Sequence, residues 1–303
     1  MSAFYPFGAR APLRLTFWFA MALLIVFTVI PAAAVFVIAF TDIQGLPGIP
    51  IHWVGFDNFV RFFSAARIGY NLNALQNTLI YAVASTVIIN AIALAVAVLL
   101  NQKLRGRNFT RAIVFLPTIL GVTVIGLIWS LFFNPSRGPA ATVWSWFAAD
   151  SAFFGDPALA LPLVIFVQIW AGLGVAVVIY LAGLQAIPEE LYEAASIDGA
   201  TGGQRTRFIT IPLLAPSVTA NVLLAIVGSL QSYQLAYVLT GPNNPATQLL
   251  SLAIFSQAFG GSTASGAAQT QGYAATISVV QFFVVSAVAA LVLIYLRRRE
   301  AKL

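Results

Sequence analysis

Four of the nine acidic residues of this chain fall in one stretch, IPEELYEAASIDGATGGQRTRFITIPLLAP, from Ile187 to Pro216. They are Glu189, Glu190, Glu193 and Asp198. A carboxylate on a short exposed helix can make a strong, directional contact with a cation on a partner. A second run carries no charge: Ser229-Leu230-Gln231-Ser232-Tyr233-Gln234, with Tyr237 after it. Its hydroxyls, amides and aromatic faces are the set that orients a small neutral polar solute in a water-excluding cavity. Other chemistry is thin. There is no cysteine and one histidine, His52, in a polar loop where solvation is the plain reading. Thiol chemistry, disulfides and cysteine metal sites are thereby excluded. No paired carboxylates, histidine cluster or nucleophile–base set lies at a membrane face, which argues against an enzyme. A glycine-rich phosphate loop of the G-x4-G-K-[ST] type is absent as well, so no nucleotide site is expected in this chain.

These residues are positioned by an all-α integral membrane protein. The chain is 60% hydrophobic and 8% charged, against roughly 25% charged in soluble domains. About 20 helical residues cross the hydrocarbon layer. Six stretches reach that length, at about 17–40, 78–100, 112–133, 159–184, 218–239 and 273–296, and none contains Asp, Glu, Lys, Arg or His. One transmembrane domain over 1–303 is expected. The first run is longer than a signal-peptide core, and so reads as an uncleaved anchor. Pro117 is placed to kink the third span. Asn77 reads as the N-cap that opens the second. Gln248–Phe259 is too short to span and reads as a surface or re-entrant helix.

Lys and Arg fix the orientation. Twelve lie before the first span, in Asn101–Arg111, in the acidic loop and after the last span; three, Arg61, Arg67 and Arg137, lie on the other side. Basic loops stay in the cytoplasm, so both termini and the acidic loop are expected inside. The net charge of +6 is thus a signature of membrane orientation, not of nucleic-acid binding. Within the acidic loop, Pro188 suits a first helical position, the acids suit the positive end of the helix dipole, and Asp198-Gly199 is a stop signal. A helix over Glu189–Asp198 is predicted, then a sharp turn and a second short piece leading to Ile209.

Glu193-Ala194-Ala195, three residues, Gly199, nine residues and Ile209-Thr210-Ile211-Pro212 resemble the EAA signature of bacterial ABC importer permeases, EAA-x3-G-x9-I-x-L-P. The one departure is Ile211 for Leu. Glu190–Asp198, followed by Gly199-Ala200, is most similar to the carbohydrate branch, the maltose-type permeases. The resemblance implies six spans, with a cytoplasmic coupling helix between the fourth and fifth. Glu190, Glu193, Ala194, Ala195, Asp198, Gly199, Ile209 and Pro212 would engage the ATPase. It implies a multi-pass subunit of the bacterial plasma membrane that moves a sugar or sugar-like solute inward by alternating access. Its partners would be a second homologous permease, in a heterodimer, two ATP-binding subunits that hold ATP and Mg, and an extracytoplasmic solute-binding protein.

By the same resemblance Ser229, Gln231, Ser232 and Tyr233 line the solute pathway, with Gly172 and Val175 on the fourth span. Three- and four-residue spacing puts Ser229, Ser232 and Tyr233 on one helical face. Such polar residues equally well hold helices together by hydrogen bonds. An ion-coupled secondary transporter or channel is the alternative function. Proton coupling usually needs a buried ionisable group, and the six stretches have none.

Overall fold

The computed structural model describes residues 10–45, 48–102, 106–146, 151–259 and 271–300, without the side chains of 10–14 and 107. Pro47, Lys103, Arg105, Asp150, Lys302 and residues 260–270 lie outside the described residues. The described chain is helical; its one β feature is an isolated Thr41–Trp53 bridge. Helices α1 (Arg10–Leu24) and α2 (Ile30–Ile38) run through a π-helical turn. Next come α3 (Asp57–Phe63), α4 (Ala65–Asn101), α5 (Arg107–Ile119), α6 (Val122–Phe132), α7 (Pro139–Ser145) and α8 (Ala160–Gln185). The short α9 (Glu189–Ile197), α10 (Gly202–Arg205) and α11 (Ile211–Leu213) precede α12 (Ala215–Leu230) and α13 (Gln234–Thr240). The last two are α14 (Leu250–Phe259) and α15 (Gln271–Glu300).

Four helical stretches are long and apolar enough to cross a membrane: Leu15–Ile38, Ala65–Asn101, Ala160–Gln185 and Gln271–Glu300. The predicted third and fifth spans are not single helices. Between α5 and α6 the chain bends by 102°. Leu120 and Gly121 are extended there, three to four residues past Pro117; the proline sits inside α5, whose ladder it weakens without ending it on the spot. The predicted fifth span is interrupted at Gln231–Tyr233, between α12 and α13. Its lead-in, Gly202–Leu213, meets α12 at 61°.

Helices α4 and α8 form the centre. Small residues open their seam on the α4 side: Ala93 and Ala97 pack with Ala176, Val177, Tyr180 and Leu184 of α8. Small side chains let helix backbones close up where lipid supplies no hydrophobic drive. A Cβ on Gly174 would lie 2.7 Å from Thr118 Cγ2 and 2.9 Å from the Val114 carbonyl oxygen, so this glycine is what lets α5 lie against α8. By contrast, no residue of Leu15–Ile38 is fully buried.

The described residues correct three further expectations. Helix α4 has 37 residues, about 55 Å at 1.5 Å per residue, and begins at Ala65. Asn77 is therefore inside the helix and no N-cap; its Nδ2 donates to the carbonyls of Pro245, Ala246 and Gln248, at 3.2 Å each. Of the two readings given to Gln248–Phe259, the surface helix falls away and the re-entrant one does not, because Leu250, Ser251, Leu252 and Ala253 of α14 are buried. His52 is not merely solvated. Its backbone N–H donates to Asp42 Oδ1 (2.6 Å) and its Nδ1 lies 2.9 Å from Asp42 Oδ2. Those bonds hold the Asp42 carboxyl below its usual range.

Candidate functional site

Two regions carry the predicted residues. The first is the loop from Ile187 to Pro216. Helix α9 starts one residue past Pro188, which sits at the N-cap with extended ψ, not at the first helical position. It ends at Ile197 rather than Asp198. Gly199, at φ +75°, donates its N–H to Ser196, and Ala200 donates to Ala195. That pair of bonds is a Schellman close, and the left-handed φ is why glycine stands there. The second short piece, α10, opens with a capping box. The Thr201 N–H donates to Gln204 Oε1 (2.7 Å), and Gln204 N–H donates back to Thr201 Oγ1. The T-x-x-Q spacing carried that signal in the sequence.

The loop is braced on itself. Tyr192 Oη and Thr210 Oγ1 are 3.0 Å apart, and Arg205 Nη1 donates to Ser196 Oγ at 2.9 Å. Glu190, Glu193, Ala194, Asp198 and Gly199 are all exposed; Ala195 and Ile209 are half-buried. Two apolar side chains are also left open, Ile197 at 87% and Phe208 at 69% exposure. A rigid, charged, partly apolar surface of this kind is suited to docking. Pro212 stands in α11, just before the 61° bend into α12.

The second region is the interruption. Helix α12 ends at Leu230, and Tyr233 adopts φ −147°, ψ −24°. So Ser229, Ser232 and Tyr233 do not share one helical face. The carbonyl of Leu230 is freed from the helix ladder and accepts from Gln281 Nε2 of α15 (3.2 Å). The same amide nitrogen donates to Ser251 Oγ of α14 (2.7 Å). Broken backbone inside a membrane bundle persists only where neighbouring groups take its polar atoms.

Around the break, Ser229 Oγ accepts from Ser85 Oγ (2.9 Å), and Ser232 Oγ is 3.2 Å from Tyr81 Oη, both on α4. Tyr233 stacks on Phe255 of α14 with ring centroids 5.1 Å apart, and Tyr237 meets Phe255 edge-on. Gln231 and Gln234 are exposed. The buried Ser256 Oγ and Gln281 Oε1 have no partner. The structure thus brings Ser229, Ser232 and Tyr233 together with residues not singled out from sequence: Tyr81, Ser85, Ser251 and Phe255. Gly172 is elsewhere in role: its Cα side faces Ile89 of α4, a packing contact, while Val175 is half exposed.

Residues 105–301 match the family model described as "Binding-protein-dependent transport system inner membrane component". The chain belongs to this family. It is the membrane-embedded permease subunit of an ABC importer, a transport component and not an enzyme, and the ion-coupled carrier reading falls away. The diacetylchitobiose uptake system permease NgcF of Streptomyces coelicolor is 31% identical over 92% of this chain and 82% of its own length. The trehalose/maltose transport permease MalF of Thermococcus litoralis is 31% identical over 77% of this chain and 79% of its own. In fold, the permease matches a chain of a bacterial ABC transporter that imports the acidic polysaccharide alginate, with a TM-score of 0.79 at 22% identity, covering 98% and 97% of the two chains. A second structure of an alginate transporter, in complex with a pentasaccharide-bound periplasmic protein, matches with a TM-score of 0.74. The family description and the apolar helices make the permease a multi-pass inner-membrane protein.

Proposed function

We propose that this permease carries a neutral sugar or short oligosaccharide through a pathway built at the Gln231–Tyr233 interruption. One observation carries the proposal: an uncharged break in a membrane helix, flanked by amides, hydroxyls and a stacked aromatic pair. Unwound backbone between half-helices is a recurring way for transporters to form solute sites. Aromatic faces with convergent hydrogen-bonding groups suit a sugar. The relatives that transport sugars support the solute class. Gln231 and Tyr233 would face the solute, Ser229 and Ser232 would hold the break against α4, and Gly172 and Val175 would border the pathway from α8.

The same proposal includes a single domain with six spans, counting α5–α6 and the chain through α12–α13 as one each, and both termini in the cytoplasm. The lysine and arginine bias supports this. Helix α9 is then the coupling helix, with Glu190, Glu193 and Asp198 offering charge, Ala194 and Ala195 close approach, and Ile209 and Pro212 the link into α12. Two ATP-binding subunits would hold ATP and Mg, a second permease would complete the pathway, and a periplasmic binding protein would deliver the solute. The test is uptake of labelled solutes into proteoliposomes that hold the assembled complex. Saturable, ATP-dependent uptake of a neutral sugar, lost in Tyr233→Ala with ATPase subunits still bound, is the expected result. Uptake confined to a charged, non-sugar solute would overturn it.

A further inference from the structure

Arg111 is the cation nearest the apolar part of α5, and its surroundings do not satisfy it. Its Nε and Nη2 are shielded from solvent and meet no acceptor on the protein. A guanidinium carries five donors in a fixed fork suited to phosphate and carboxylate oxygens. Arg111 lines a groove of about 540 Å³ between α5 and α8. Asn108 is the other polar residue of the lining; Leu100, Phe115, Val178 and Leu181 are among its apolar residues. Phe115 and Val178 are exposed, while Leu181 is buried in the floor. The floor exists because Gly174 brings α5 down onto α8.

An apolar trough with one arginine in its lining has the polarity of a phospholipid. We propose that this groove holds an anionic phospholipid, with its phosphate on Arg111 and one acyl chain along Phe115, Val178 and Leu181. Charge complementarity favours the lipid. The Asn101–Arg111 stretch carries four of the chain's basic residues in its sequence, and basic clusters at the cytoplasmic ends of spans select anionic headgroups. The inference rests on the inside placement of that loop, proposed above, and assigns this face of the permease to lipid rather than to its partner permease.

The experiment uses the assembled complex in nanodiscs of phosphatidylcholine with a minor fraction of phosphatidylglycerol, released into detergent and weighed by native mass spectrometry. About one phosphatidylglycerol should stay on each copy of this chain. Arg111→Gln should lower that retention at least tenfold. Val178→Trp, which fills the trough and leaves Arg111 in place, should lower it as well, so a poorly folding arginine variant does not end the test. Inorganic phosphate in excess should not displace the lipid. Equal retention in both variants, or retention of phosphatidylcholine to the same extent, would overturn the proposal. So would a photoreactive residue at position 115 that captures the partner permease instead of lipid. Because the chain has no cysteine, Asn108→Cys with a membrane-impermeant maleimide reads loop orientation separately. Labelling from outside would overturn the topology without touching the native-mass result.

Discussion

The loop at α9–α10 and the break at Gln231–Tyr233 are built on opposite principles. The loop is exposed, charged and held by bonds within about 20 residues of sequence, such as Tyr192 to Thr210. The break is uncharged and only partly exposed, and its key bond comes from Gln281, 51 residues away from Leu230. A self-braced exposed element can transmit force as a unit to a partner. A break held from three other helices can respond when those helices move. The difference separates the two tasks of an importer subunit, receiving work from ATP hydrolysis and presenting a path to solute.

Substitutions can break that separation, and the largest effect is expected in the loop. Gly199→Val forces a β-branched residue into a left-handed conformation, so the Schellman close is lost. ATP-driven uptake should fall at least a hundredfold, with ATPase subunits missing from the purified complex. Next in size is Gln281→Leu, which removes the shared donor and leaves the Leu230 carbonyl only the long 3.5 Å contact from the Ser251 hydroxyl. A buried group left unpaired costs about 1–3 kcal/mol, so the melting temperature should drop measurably while ATPase binding persists. Thr201→Ala removes one side of the capping box and should cost about 1 kcal/mol locally. Limited proteolysis of the loop would report it, with Thr201→Ser restoring protection.

The smallest effect is on the far loop, at the Asp42–His52 pair. The Asp42 carboxyl is lowered mainly by the His52 backbone N–H and then by the His52 ring. A lowered carboxylate stabilises the fold above its unfolded pKa, and that contribution is lost as pH falls through the folded value. Protection of the 42–52 loop in hydrogen exchange should therefore weaken only in acid, and Asp42→Asn should remove the pH dependence.

How far each region was legible follows from where its bonds come from. Helix α9 was readable because every signal is local: acids in the first turn and Asp198-Gly199 at the end. The interruption was not, since Val218–Leu239 runs on with no proline inside and the freed carbonyl finds its partners on other helices, Gln281 of α15 and Ser251 of α14. The bend near Pro117 was half legible; the proline marks it, but the 102° turn is taken at Leu120–Gly121, where α5 is already fixed on Gly174. Asn77 misled for the opposite reason. An Asn-Thr start looks like a cap, yet its amide is committed to three carbonyls of the 245–248 segment.

The most direct test of the division of tasks is to purify the permease with its partners in mild detergent and identify them by mass spectrometry. The native chain would be compared with Glu193→Lys combined with Gly199→Asp, and with Tyr233→Ala. The expected result is an ATPase and a second permease with the native chain and with Tyr233→Ala, and loss of the ATPase alone from the loop variant. A loop variant that keeps its ATPase and hydrolyses ATP normally, or a Tyr233 variant that loses it, would contradict the account.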